Sequence, residues 1–136
     1  MDRIVKIYTD GASRGNPGPA GIGILIIDEN GKDIKRISEY IGNTTNNIAE
    51  YRALLRALEE CEKKKIKTAR FFADSQLLVN QINKRYKVAN EGLKPLYVKL
   101  MGRFMNLKDW SIKYIPREEN RIADSLANDA LDNLSQ

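Results

Sequence analysis

A chain of 136 residues, 42% hydrophobic and 30% charged, has the size and balance of one globular domain (residues 1–136) that needs no metal or disulfide to fold. Its formal charge of +5 suits a polyanionic partner, although many basic proteins bind none. The absence of histidine removes Ser-His-Asp and Cys-His nucleophile schemes and every His-based zinc site, and a lone cysteine, Cys61, removes any internal disulfide.

Residues 3–9 (RIVKIYT) are rich in β-branched side chains and read as a first strand, ended by Asp10 and Gly11. The glycines and prolines of GASRGNPGP make a loop. Residues 20–28 read as a second strand, Glu29-Asn30-Gly31 as a hairpin turn, and 32–41 as the antiparallel return. From Ile48 the apolar residues 48, 51, 54, 55, 58 and 61 fall on one helix face, with Cys61 as core filler. Asn47, three residues before Glu50, resembles a capping box at that helix's start. A strand at 68–73, a helix from Asp74-Ser75 to about 84, a loop at 85–92 and a helix at 93–104 follow. Residues 109–115 make a fifth strand, on which Trp110 reads as a partly buried anchor. A loop at 116–120 and a helix at 121–134 close the chain. On that helix Ile122, Ala123, Leu126, Ala127 and Ala130 form the expected core stripe.

A meander followed by β-α-β units predicts an α/β fold: one mixed sheet, strands one and four central, helices covering it. The longest apolar run, 22–27, is too short to cross a bilayer, and the first residues lack a secretory pattern. A cytoplasmic protein without membrane contact is therefore expected, as a monomer, because no apolar helix stripe is left over.

Four acids fall at the ends of predicted elements. Asp10 closes strand one and Asp74 closes strand four, so parallel neighbours would bring both to one sheet edge. Glu50 lies in a first helical turn, and Asp124 at the margin of the last helix's core stripe. Each has a plain alternative: turn former, cap, N-cap and solvated acid, respectively. Together they make a stronger pattern. Four crowded carboxylates repel unless cations neutralise them, and oxygen ligands alone select Mg²⁺ or Mn²⁺. Two such ions roughly 3.5–4 Å apart serve in-line displacement at phosphorus.

The segments YTDGASRGNPGPAGIG, NTTNNIAEYRALLRAL, ADSQLLVNQIN and PREENRIADSLAN, in this order, resemble the type 1 ribonuclease H family over nearly the whole chain. The resemblance implies that family's fold, a five-stranded mixed sheet with helices on both faces. It implies a phosphodiester hydrolase that cuts the RNA strand of RNA–DNA hybrids, leaving 5′-phosphate and 3′-hydroxyl ends, with two divalent ions and no small-molecule cofactor. By motif position it makes Asp10, Glu50, Asp74 and Asp124 the metal ligands. Asn16, Asn46 and Asn47 match its minor-groove readers, and Thr45 and Asn90 a pocket for a phosphate of the DNA strand. Amides suit ribose reading because they both donate and accept.

Two departures stand out. Many relatives carry a histidine in the loop before the last acid. Here the short PREEN loop resembles archaeal-type members, which implies Arg117 beside the active site, contacting the scissile phosphate or aiding product release. Glu118 and Glu119 are candidates for moving protons or metal, and all three can equally be exposed loop charges. Residues 85–92 are too short for the long basic insertion that some relatives carry between the middle helices, and no separate hybrid-binding domain is expected. Lys84, Arg85, Tyr86 and Lys87 then read as a remnant surface for the DNA strand or as an ordinary basic helix end. Competing functions are a broader nuclease that cuts double-stranded RNA, a silent nucleic-acid-binding module, and a metal-dependent phosphatase.

Overall fold

The computed structural model describes residues 3–135; Met1, Asp2 and Gln136, the ends of the expected domain, lie outside the described residues. Five strands, β1 (Ile4–Ser13), β2 (Gly18–Ile27), β3 (Asp33–Thr44), β4 (Thr68–Ala73) and β5 (Asp109–Tyr114), form one sheet in the order β3-β2-β1-β4-β5. The β1–β2 and β2–β3 pairs are antiparallel, and the β1–β4 and β4–β5 pairs are parallel. Four helices accompany them: α1 (Asn46–Lys63), α2 (Gln76–Ile82), α3 (Lys94–Phe104) and α4 (Arg121–Asp132). The mixed sheet expected from the order of elements is present, with β1 at its centre and β4 beside it.

β1 is longer than expected. Asp10 does not close it: Gly11, Ala12 and Ser13 continue the antiparallel ladder, opposite Ile22, Gly21 and Ala20. The parallel partner β4 ends earlier, with Ala73 opposite Thr9. β1 therefore outruns β4 by a few residues, and the step is where Asp10 and the residue after β4, Asp74, come together.

Local chemistry sets the helix starts. Thr45, not Asn47, caps α1, its Oγ1 accepting the Ile48 N–H at 3.3 Å. Glu50 is thus no member of a capping box, and its side chain turns elsewhere. Ser75 caps α2 through the Leu78 N–H at 3.2 Å, which leaves Asp74 free of that duty. Lys84, at φ 63°, lies past the end of α2, two residues beyond Ile82.

Glycines decide how close the two helical layers come. A Cβ on Gly11 would stand 2.3–2.5 Å from the backbone of Ala49 and Glu50, so α1 lies directly on β1 there. On the other face a Cβ on Gly23 would stand 2.0 Å from the Ala123 carbonyl oxygen. Because α4 comes this near, its contact stripe is the small residues Ala123, Ala127 and Ala130, joined by Leu131. Ile122, expected in that stripe, is 41% exposed: there is no room for it beneath the helix. The core proper lies between the sheet and α1, α2 and α3, where Ile7, Ile24, Leu54, Leu58, Phe71, Leu100 and Phe104 are buried in one cluster that includes Cys61. Trp110 stacks on Phe104 at 4.0 Å, half-buried as an anchor.

Gly23→Ala should lower unfolding free energy by about 3 kcal/mol, since helix and strand backbones must part. Gly102→Ala, in open space on α3, should raise it by about 0.5–1 kcal/mol. Urea titration of the two variants checks the contrast.

Candidate active site

Three carboxylates converge at the step where β1 outruns β4. One oxygen from each of Asp10, Glu50 and Asp74 lies within 4.8 Å of the other two. β1 delivers Asp10, the first buried turns of α1 deliver Glu50, and the turn after β4 delivers Asp74. The close seat of α1 on Gly11 aims Glu50: its Oε1 accepts the Gly11 N–H at 2.6 Å. Its other oxygen, Oε2, is buried and accepts no hydrogen bond. The cleft above them, about 270 Å³, is also lined by Ala12, Asn46, Ser75 and Arg117.

Asp124 stands beside this group rather than within it. Its Oδ1 accepts from Arg117 Nη2 at 3.3 Å and from Asn128 Nδ2 at 3.3 Å. It still acts on the cluster, since its carboxylate helps raise both Asp10 and Asp74. Burial, then the Glu50 charge, hold the Asp10 carboxyl far above the usual carboxylate range. Burial likewise pushes Glu50 up to about 7, against the lowering pull of the neighbouring Asp10 carboxyl and of the Gly11 N–H. Asp74 is raised by burial, with Asn120 and Arg117 pulling the other way. Oxygen donors alone, mutual repulsion and an unsatisfied buried carboxylate oxygen fit a hard divalent cation of the Mg²⁺ or Mn²⁺ kind.

The amide residues form a second group along the entry to α1. Asn16 Oδ1 accepts the Asn46 N–H at 3.0 Å, and Asn46 Oδ1 accepts the Ser13 N–H at 3.3 Å. Asn46 and Asn47 are exposed in the first turn of α1, next to its cap Thr45. Asn90 is not in the acid cluster: its Oδ1 accepts from the Gly92 and Leu93 N–H groups at 2.7 and 3.2 Å, so only its Nδ2 is left to donate to a ligand. Glu118 and Glu119 form a 3₁₀ turn with Arg117 and face a different cleft, beside Tyr8, Leu25 and Ile122. Lys84, Arg85, Tyr86 and Lys87 line a separate basic groove with Lys94 and Tyr97.

A model of the family described as reverse transcriptase-like matches residues 8–130. The solved structure of LC11-RNase H1 in complex with an RNA/DNA hybrid is 43% identical, covering 97% of this chain and 99% of that one at a TM-score of 0.92. The chain belongs to the type 1 ribonuclease H family. Ribonuclease HI of Halobacterium salinarum is 39% identical over 94% of this chain and 64% of its own length. The bifunctional protein Rv2228c of Mycobacterium tuberculosis is 38% identical over 97% of this chain. This chain spans only 36% of that relative's length.

Within this ribonuclease H fold the sequence reading missed three contributors. Gly11 and Gly23 admit the helices that carry Glu50 and Asp124, and the two-residue spacing of Gly21 and Gly23 in a strand was the available signal. Asn120 is almost wholly buried and bonded to Asp74; its position one turn before Asp124 was the only hint.

A carboxyl whose pKa is raised by folding binds more protons folded than unfolded between its two values. Stability of the metal-free protein should therefore fall as pH rises from about 4 through the Glu50 value of about 7. Asp10→Asn should relieve the repulsion and raise the melting temperature in chelator at pH 8 by about 4 °C. Mn²⁺ should stabilise the parent more at pH 8 than at pH 5. Thermal melts across pH, with and without the ion, measure all three.

Proposed function

We propose that this chain is an endoribonuclease that hydrolyses the RNA strand of RNA–DNA hybrids, leaving 5′-phosphate and 3′-hydroxyl ends. The observation that carries it is the buried, unpartnered Glu50 Oε2 in a cluster of three carboxylates, on the fold of a relative solved with a hybrid. Asp10, Glu50 and Asp74 hold two divalent ions, Mg²⁺ or Mn²⁺, with Asp124 joining from the rim. When bound, these ions supply an activated water and stabilise the leaving 3′ oxygen. The P–O3′ bond breaks as the water oxygen bonds to phosphorus; one water proton passes to solvent and the 3′ oxygen is protonated.

The protein's own groups do the rest. Arg117, on the cleft wall and highly exposed, neutralises the scissile phosphate when the substrate displaces it from Asp124. The Asn16, Asn46 and Asn47 amides sit beside the cleft and read 2′-hydroxyls and base edges in the minor groove, which makes ribose a requirement. Thr45 and Asn90 Nδ2 receive a DNA-strand phosphate. The basic groove of Lys84, Arg85 and Lys87, with Tyr86 exposed beside them, carries that strand onward. Among the described residues no helix is long and apolar enough to cross a membrane. Cys61 is free and buried, which suits a reducing compartment such as the cytoplasm; there the protein works as one catalytic domain and a monomer.

Incubation with labelled RNA–DNA hybrid, double-stranded RNA and double-stranded DNA tests the reading. Hybrid should be cut in Mg²⁺ or Mn²⁺ and spared in chelator. Cutting of double-stranded RNA at an equal rate would replace hybrid specificity with a broader one. Asp74→Asn should bind hybrid normally and cut it more than about 100-fold more slowly, beyond what loss of a ligand's outer partner typically costs. Cutting that survives this change removes Asp74 from the chemistry.

A further inference from the structure

Asn120 precedes α4 in the place of an N-cap, yet its side chain makes no capping hydrogen bond. The side chain is turned the other way, into the protein, and the residue is only 1% exposed. Its Nδ2 donates twice, to the Thr9 carbonyl oxygen at 2.9 Å and to Asp74 Oδ2 at 3.1 Å. Its backbone carbonyl accepts the Asp124 N–H at 3.0 Å. One residue thus touches the strand position just before Asp10, the Asp74 carboxylate and the first turn of the helix that carries Asp124.

Two acceptors on Nδ2 fix which way the amide points, and this leaves Oδ1 buried without a hydrogen bond. A buried polar atom with no partner costs stability. A residue kept only to fill space or cap the helix would avoid that cost. The amide is instead committed to its two acceptors, one of them an acid of the cluster.

We propose that Asn120 is a positioning residue that turns Asp74 to present a fixed oxygen to the cation and locks together three of the four acid-bearing segments, those of Asp10, Asp74 and Asp124. This rests on the metal-binding reading above. By donating to Oδ2, Asn120 removes the Asp74 carboxylate's freedom to rotate and leaves Oδ1 to face the cleft. Groups that orient a metal ligand in this way typically contribute about 10–100-fold to metal affinity.

Calorimetric titration with Mn²⁺ of the whole chain tests this, alongside steady-state cleavage of hybrid. Asn120→Ala should bind Mn²⁺ at least about tenfold more weakly and lose kcat, while KM for hybrid stays unchanged. Asn120→Asp keeps the shape but swaps the donating amide for acceptor oxygens, so it should fail equally; rescue by this variant would mean that only space-filling matters and would overturn the proposal. Leu100→Ala, a core truncation on α3, should lose stability yet keep Mn²⁺ affinity. Mn²⁺ affinity in Asn120→Ala within about twofold of the parent also overturns it. Parent protein that binds no Mn²⁺ overturns the metal reading and this one together. A measurement on the parent alone covers the case in which the variants do not fold. The two Asn120 side-chain amide protons should exchange slowly and shift as Mg²⁺ is added, and an unmoved pair would sink the idea.

Discussion

Asp10 and Glu50 are both buried, and with Asp74 they place three carboxylate oxygens within 4.8 Å of one another. Left to themselves such groups repel, and burial makes each charge more costly still. The arrangement exists because the surrounding framework forces it. α1 is pinned to β1 where Gly11 offers no Cβ, and the Gly11 N–H gives Glu50 one strong bond in return for its burial. The remaining oxygen of Glu50 is left unsatisfied, a deficit that a divalent ion would remove. Site and framework are therefore opposed in energy: the core between the sheet and α1 to α3 stabilises a geometry that the site itself disfavours.

The amide group is built on the opposite logic. Asn16 and Asn46 bond to each other's neighbourhood, the first to the backbone of the second and the second to the backbone of Ser13. Those contacts hold the loop after β1 against the start of α1 before any ligand arrives. Groups ordered in advance lose less entropy when a substrate binds. The same reasoning separates Asn90 from the rest, because its carbonyl is already committed to the turn that starts α3. Arg117 is different again, exposed and tied by one bond to Asp124, a weak surface pairing that a phosphate can displace.

Where sequence reading and structure diverge, a tertiary contact outweighed a local preference. Asn47 and Glu50 have capping-box spacing, but Thr45 takes the cap and Glu50 is drawn to the Gly11 N–H. Asp10 followed by Gly11 looks like a turn, yet pairing with β2 carries the strand on to Ser13. Ile122 fits a helical stripe by periodicity, but α4 lies so close to Gly23 that the closest approach is made by the small residues Ala123 and Ala127. Asn120 sits at a capping position and spends its side chain on Asp74 instead.

The order of elements, the mixed sheet and the candidacy of Asp10, Glu50, Asp74 and Asp124 were all legible in the sequence. Hydrophobic period and turn chemistry act over a few residues, and motif order preserves their sequence along the chain. Only the tertiary structure decided how these acids are arranged: three oxygens in one cluster, Asp124 on its rim beside Arg117, and Asn120 beneath Asp74. Those facts depend on how near a helix can lie to a strand. That distance is set by side chains absent at Gly11 and Gly23, and by partners more than a hundred residues apart, such as Thr9 and Asn120. Local patterns carry no record of such distances.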